Sequence, residues 1–252
     1  MPTFELPFKP GLTTHVEVDD RNLLFYAVQR RSETLPDQRA VVENALDHPI
    51  GAARLEDTLA PGDRVVIIVD DITRPTPTTQ ILPPILKRLA RAGISDADIL
   101  IFIALGTHRP MADEELRVKL GDEVLARYRV INRDYRNGDY IDLGTTASGV
   151  PIEVNREIVE ADFRLAIGNI VPHITSGWGG GSKIILPGVC SQKTVARMHY
   201  AACLGQPVLE VIGVRDNRAR AEMDDIAGKI GLNFIVNTVL DEHQRMVGVF
   251  AG

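Results

Sequence analysis

The sequence predicts an α/β fold, in which a mainly parallel sheet is flanked by helices and a β-hairpin region is added. The main observations are the unbroken β-branched run of residues 65–69 and a second buried strand predicted at residues 98–105, which is apolar after Asp98. Apolar runs without polar alternation are typical of strands that are buried on both faces of a parallel sheet. Each run precedes a segment with apolar residues at three- and four-residue spacing, so strands and helices alternate as in Rossmann-like βαβ units.

The first part of the chain is more irregular. Residues 3–18 alternate loosely and predict one or two strands at a sheet edge, and residues 22–46 have a helical pattern that is broken near Pro36. A helix is expected after the strand at 65–69. Pro83 and Pro84 fit that helix only in its first turn, where a missing N–H costs no hydrogen bond.

The alternation of strands and helices continues to the end of the chain, and residues 1–252 are interpreted as a single α/β domain. Ser191 is the expected N-cap of one late helix. The remaining predicted elements are a short helix ended by Gly121, a strand at 128–132, a hairpin at 138–155 turning at Ser148 and Gly149, a strand at 163–171, helices at 191–203 and 216–230, and strands at 233–240 and 246–250.

The composition limits the classes of function. The 252 residues have a net charge of -6 and no basic tail, which argues against nucleic acid as a partner. The sequence has neither a signal peptide nor an apolar run long enough for a membrane span, so we expect a cytoplasmic protein with no membrane partner. Its two cysteines, Cys190 and Cys203, are too few for a disulfide framework.

Polar side chains follow three of the predicted buried strands. Ligands bind beyond the carboxyl ends of parallel strands, so we expect these groups to share one edge of the sheet. Each group alone also fits a structural role, as a helix cap, a solvated loop or a turn. The three groups are Asp70, Asp71, Thr73 and Arg74; Thr107, His108 and Arg109; and His173 with Gly179, Gly180, Gly181 and Lys183.

The residue types in these groups suggest chemistry with an anionic ligand. Arg74 suits a carboxylate or a phosphate. His108 and His173 can exchange protons near neutral pH. Lys183, at the end of a glycine-rich loop, is either an anion clamp or a nucleophile. His199 could bind nickel, zinc or iron, although a partly buried core histidine is the simpler interpretation.

Known short motifs do not account for the glycine-rich loop. A Walker A loop needs its lysine between a glycine and a serine or threonine, whereas Ser182 precedes Lys183 and Ile184 follows it. The sequence also lacks HExxH, CxxC and GxSxG patterns.

Four motifs together resemble the N-terminal catalytic domain of the nickel-dependent lactate racemase family, whose members are 2-hydroxyacid racemases and epimerases. The motifs are DDITRPTP, ALGTHRP, PHITSGWGGGSKIILPG and a helix with His199, in family order over about residues 60–200. The resemblance implies a small 2-hydroxyacid substrate, proteins that make the cofactor as partners, and the family's nickel pincer nucleotide. This cofactor is a pyridinium-3,5-bisthiocarboxylic acid mononucleotide that binds nickel.

The resemblance also implies roles for individual residues. Lys183 would bind the cofactor covalently through a thioamide, and His199 would be the nickel ligand. His108 and His173 would be the acid and base on opposite faces of the substrate. The remaining residues that we expect to bind the cofactor are Asp71, Thr73, Arg74, Gly179, Gly180 and Gly181.

Family members have a second α/β domain after this one, and the present sequence stops at Gly252. We therefore expect the C-terminal domain to be absent from this chain and the isolated domain to turn over weakly or not at all. Two alternatives remain open from the sequence. One is a non-catalytic domain that binds an anionic ligand, and the other is a zinc hydrolase that uses His108, His173 and His199.

Overall fold

The computed structural model describes residues 1–9, 12–27, 35, 37–203 and 207–252. The chain divides into two compact units, Met1–Ser32 and Glu33–Gly252. In the first unit, strands β1 (Thr3–Lys9) and β2 (Leu12–Glu17) pair antiparallel. The two predicted strands are confirmed, but they form a sheet of their own, so the expected position at the edge of a larger sheet is wrong.

The second unit contains a six-stranded sheet with the order β12-β11-β8-β3-β4-β5. Neighbouring strands from β11 to β5 are parallel, and only the pairing of β12 with β11 is antiparallel. The predicted mainly parallel α/β sheet is therefore confirmed. The strands of this unit are β3 (Val65–Asp70), β4 (Ile99–Ala104), β5 (Arg129–Ile131), β6 (Tyr140–Thr145), β7 (Pro151–Asn155), β8 (Phe163–Asn169), β9 (Pro172–His173), β10 (Gly177–Trp178), β11 (Phe234–Leu240) and β12 (Met246–Ala251).

Helices cover both faces of this sheet and enclose two apolar cores. Along β3, Ile67 and Val69 pack into one core, whereas Val66 and Ile68 pack into the other. Successive side chains of a strand point to opposite faces, so burial on both faces requires the unbroken apolar run. The helices are α1 (Gln38–Asp47), α2 (Leu55–Thr58), α3 (Thr78–Arg91), α4 (Asp113–Leu120), α5 (Asp122–Arg127), α6 (Arg156–Val159), α7 (Gln192–Cys203), α8 (Val208–Val211) and α9 (Arg218–Ile230).

Of the helix predicted over residues 22–46, the described residues include the last part, as α1. Asp37 caps α1 by accepting hydrogen bonds from the amides of Arg39 and Ala40. Residues 23–27 are not helical, and the expected break near Pro36 lies outside the described residues.

The prolines of α3 lie deeper in the helix than expected. The helix begins at Thr78, which places Pro83 and Pro84 in its second turn, so the prediction of a first-turn position is wrong. Proline has no N–H, and the carbonyls of Thr79 and Gln80 therefore lack their usual helical partners. Both residues are exposed, which lets water bind these carbonyls instead.

Most other elements match the sequence pattern. Strands β6 and β7 form the predicted hairpin, with Gly149 at φ +84° in its turn. Ser191 caps α7, since its Oγ accepts a hydrogen bond from the Thr194 amide at 3.2 Å. Among the described residues, none of the helices is both long and apolar enough to cross a membrane.

Candidate active site

The segments that follow β3, β4 and β8 meet at the carboxyl edge of the sheet. These strands are neighbours, so the three polar groups predicted from the sequence converge there. They surround a cavity of about 160 Å³. Eight of the predicted site residues line it, namely Asp71, Arg74, His108, His173, Gly179, Gly180, Lys183 and His199.

Two predicted site residues are not in this lining. Thr73 lies behind Asp71, where its amide and hydroxyl donate to Asp71 Oδ1 at 3.0 and 2.5 Å. Gly181 lies on the other side of the glycine-rich loop, and its amide donates to Asn237 Oδ1 at 3.2 Å. In this structure Thr73 holds Asp71, and Gly181 holds the loop against β11.

A carboxylate orients the first histidine of the cavity. Asp71 is buried, and its Oδ2 lies 2.5 Å from Nδ1 of His108, whose side chain is half exposed. A carboxylate accepts hydrogen bonds, so Nδ1 is the protonated nitrogen of His108. The neutral ring then has its lone pair on Nε2, which makes it a base.

The second histidine, His173, accepts hydrogen bonds at the ring nitrogen that donates in His108. Nδ1 of His173 accepts hydrogen bonds from the Thr175 amide at 3.2 Å and from the Ser176 amide at 3.4 Å. Burial, with Lys183 and Arg74 nearby, lowers the pKa of His173 to about 4. The ring is therefore neutral at physiological pH, and its proton is on Nε2.

Lys183 and His199 complete the cavity lining. Burial lowers the pKa of Lys183 to about 8, and the cations Arg74 and Arg220 add to the effect. Within the described part of the chain, no group accepts a hydrogen bond from the Lys183 amine. His199 projects from α7, and burial followed by the charge of Lys183 lowers its pKa, which favours the neutral imidazole.

The glycines pack the loop against the ends of two strands. A Cβ on Gly179 would lie 2.8 Å from the carbonyl oxygen of Asn169, at the end of β8. A Cβ on Gly180 would lie 2.7 Å from Asn237 Oδ1 on β11, and Gly180 also has φ +69°. The loop that presents Lys183 therefore needs glycine to approach the sheet this closely.

Sequence reasoning missed Lys119, a buried residue of α4 that holds the segment after β3. Its Nζ lies 2.5 Å from Asp70 Oδ1 and donates to the carbonyls of Arg74 and Thr76 at 3.1 and 3.3 Å. Its position three residues after the inward-facing Leu116 was a signal that this lysine is not solvated.

The side chains around the cavity can be compared with what a metal ion needs from its ligands. Among the described residues, no three His, Cys, Asp or Glu side chains are placed to hold a metal ion. His108, His173 and His199, the residues of the zinc-hydrolase alternative, therefore do not form such a group. The residues do fit a metal carried by a bound nucleotide, because the cavity offers the His199 imidazole, whose neutral form is favoured, and a lysine amine without a partner among the described residues.

An α/β sheet with two histidines and a buried lysine around a cavity at its carboxyl edge is typical of a small-molecule enzyme or binding domain. Residues 11–210 match the family described as lactate racemase N-terminal domain. The chain belongs to this family.

Named relatives and solved structures agree with this assignment. A lactate racemase from Thermoanaerobacterium thermosaccharolyticum is 35% identical over 213 residues, which are 84% of this chain and 50% of that protein. A lactate racemase from Lactiplantibacillus plantarum is 32% identical over 255 residues, covering 100% of this chain and 60% of that protein. The chain thus spans half to three fifths of the length of these curated relatives.

The fold itself is also shared with solved structures. The lactate racemase apoprotein from T. thermosaccharolyticum superimposes with a TM-score of 0.82 at 32% identity, over 100% of this chain and 59% of the other. A crystal structure of a Thermotoga maritima protein gives a TM-score of 0.72 at 27% identity, over 88% of this chain and 56% of the other.

Proposed function

We propose that this chain is the catalytic N-terminal part of a racemase or epimerase that acts on a small 2-hydroxyacid such as lactate. The observation that supports this most directly is the pair of histidines in one cavity, His108 with its Nδ1 against the Asp71 carboxylate and His173 with its Nδ1 against backbone amides. Inversion at a carbinol carbon needs a base on one side of the substrate and an acid on the other.

In this proposal the chain holds a nickel pincer nucleotide. Lys183 would form the covalent thioamide, since an amine with a pKa of about 8 is partly unprotonated near neutral pH and is then nucleophilic. His199 would bind the nickel as a neutral imidazole. Bound there, the cofactor would supply an electrophilic ring able to accept a hydride from the substrate carbon and return it.

The side chains of the chain would bind the substrate and move its protons. Arg74 would bind the substrate carboxylate, and His108 and His173 would be the acid–base pair. Nε2 of His108 would take the hydroxyl proton and later return one to the same oxygen, while the Nε2–H of His173 would donate a hydrogen bond to that oxygen. Asp71, held by Thr73, keeps His108 in the tautomer that this step needs.

The glycine-rich loop would bring the backbone close to the cofactor. Gly179 and Gly180 line the cavity itself, and Gly181 allows the turn that follows them. The proteins that make the cofactor would be the cellular partners of this chain.

The alternative is a non-catalytic domain that binds an anionic ligand at the same cations, Arg74 and Lys183. Co-expression with the cofactor-making proteins, followed by intact-mass measurement and peptide mapping, separates the two. We expect a nickel-containing adduct on Lys183 and none in Lys183→Arg, which keeps the charge but removes the nucleophile. Unmodified Lys183 after this co-expression would support the binding domain. Racemisation of L-lactate by the loaded protein tests the activity itself.

A further inference from the structure

Asn169 is a polar side chain of the cavity that has no hydrogen-bond partner among the described residues. It ends strand β8, its relative exposure is 7%, and it lines the cavity together with Lys183 and His173. Its Oδ1 is sealed from solvent and has no hydrogen-bond partner, and within the described residues its Nδ2 has none either.

A neighbouring asparagine shows the contacts that a purely structural role would make. Asn237 lies on the adjacent strand β11, and its Oδ1 accepts the amide hydrogen of Gly181 at 3.2 Å. That carboxamide fastens the glycine-rich loop to the sheet. The Asn169 carboxamide makes no such hydrogen bond among the described residues, although nearly all buried polar groups in native proteins are paired.

The surroundings of Asn169 indicate what could pair with it. Oδ1 is sealed, whereas Nδ2 is not among the sealed atoms, so it is the Nδ2 end of this cavity-lining side chain that remains accessible and offers two N–H donors. The carboxylates of the lining are already engaged, since Asp70 pairs with Lys119 and Asp71 with His108. Arg74 and Lys183 leave the cavity cationic, so the complementary partner is an anionic acceptor.

We propose that Asn169 is a ligand-contacting residue whose Nδ2 donates a hydrogen bond to an oxyanion bound in the cavity, a carboxylate or a phosphate oxygen. This assignment rests on the proposed function only in taking the cavity as the ligand site. Asn169 then adds a directional contact that distinguishes an oxyanion from a neutral ligand, in addition to the attraction of the cations.

The first test measures thermal unfolding of the full chain without ligand. Asn169→Leu removes an unpaired amide, so its melting temperature should equal or exceed that of the wild type. The matched control is Asn132→Leu, since Asn132 is paired at both ends of its carboxamide with the Met111 backbone. The control should melt about 4 °C lower or more. A comparable loss in Asn169→Leu would overturn the proposal.

The second test measures binding of L-lactate, D-lactate and inorganic phosphate separately, by calorimetry on the same proteins. We expect the wild type to bind at least one of these probes, and Asn169→Leu to bind it about tenfold more weakly. Asn169→Asp should bind about 100-fold more weakly, because it replaces the donors with a repelling carboxylate. The bound probe identifies the oxyanion as a carboxylate or a phosphate.

Equal affinity of Asn169→Leu and wild type, or no binding of any probe by the wild type, would overturn the proposal. These outcomes are separate from the fate of the proposed function. Oxyanion binding that depends on Asn169, in a protein that fails to racemise lactate after loading, leaves this inference standing. Racemisation with undiminished oxyanion binding by Asn169→Leu removes this inference alone.

Discussion

Nδ1 of His108 lies 2.5 Å from Oδ2 of Asp71, where β3 and β4 end side by side. This contact leaves the lone pair of a neutral His108 on Nε2. The amides after β9 do the reverse at His173, where Nδ1 is the acceptor and Nε2 has the proton. The two rings therefore present different groups at Nε2, a lone pair on a neutral His108 and an N–H donor on His173.

Replacing Asp71 with asparagine should change the tautomer of His108. In Asp71→Asn, the carboxylate that selects the Nδ1–H tautomer of His108 is lost, so both tautomers become populated. Nitrogen NMR of the imidazole should detect the change directly. In the cofactor-loaded protein, we expect kcat for racemisation to fall roughly 10²- to 10⁴-fold.

Thr73→Val is the matched control for this substitution. It removes one hydroxyl that supports Asp71 but keeps the carboxylate, so the tautomer of His108 should persist and kcat should fall less than about tenfold. An unchanged tautomer in Asp71→Asn would contradict the orienting role of Asp71.

Lys183 should react with acylating reagents along a pH profile centred near pH 8. Burial and the nearby cations lower its pKa to about 8, so half of the amine is unprotonated at that pH. Competitive labelling with acetic anhydride, followed by peptide mass measurement, gives the pH at which each lysine is half unprotonated. The internal control is the exposed Lys193, whose pKa is raised by Glu153. A midpoint for Lys183 at or above that of Lys193 would refute the desolvated amine.

The strand-end rule predicted most of the cavity from the sequence. It placed Asp71, His108 and His173 at one edge because their strands had to be parallel, and the sheet confirms the topology. Periodicity also predicted the longer helices and strands of the second unit, since burial on one or both faces leaves a pattern in the residues themselves, but it did not predict the short elements such as α2, α6 and β9.

The side-chain network around the cavity could not be predicted in this way. The tautomers of His108 and His173 depend on which amide or carboxylate approaches Nδ1 within about 3 Å, and periodicity does not describe such contacts. Asn169 gave no signal either, because an asparagine after an apolar run is typical of an ordinary turn. Thr73 and Gly181 were expected in the cavity lining, and only their exact backbone positions exclude them.

His173 should remain neutral until the pH falls to about 4. Burial is the main reason, and the charges of Lys183 and Arg74 add to it. Between about pH 4 and 6.5 the unfolded chain binds more protons at this residue than the folded chain, so the folded state gains stability as pH rises through that window and loses it as pH falls. NMR titration of the ring measures the midpoint.

Two variants separate the causes of this low pKa. Lys183→Met removes one neighbouring cation, so the His173 midpoint should rise but stay below 6.5, because the larger effect of burial remains. His173→Gln should flatten the corresponding part of the stability curve measured by urea unfolding. A His173 midpoint near 6.5 in the wild type would contradict the buried, neutral imidazole.

Lys119 should be needed for stability and for the position of Arg74. Lys119→Met leaves Asp70 as a buried, unpaired carboxylate and frees the carbonyls of Arg74 and Thr76, so the free energy of unfolding should fall by about 3–5 kcal/mol. Asp70→Asn alone should also destabilise the chain, because it leaves the buried ammonium without its counter-charge. The double variant should be more stable than the sum of the two losses predicts, since neither charge remains. Urea unfolding of all four proteins gives the coupling energy, and strictly additive losses would show that the pair does not act as a unit.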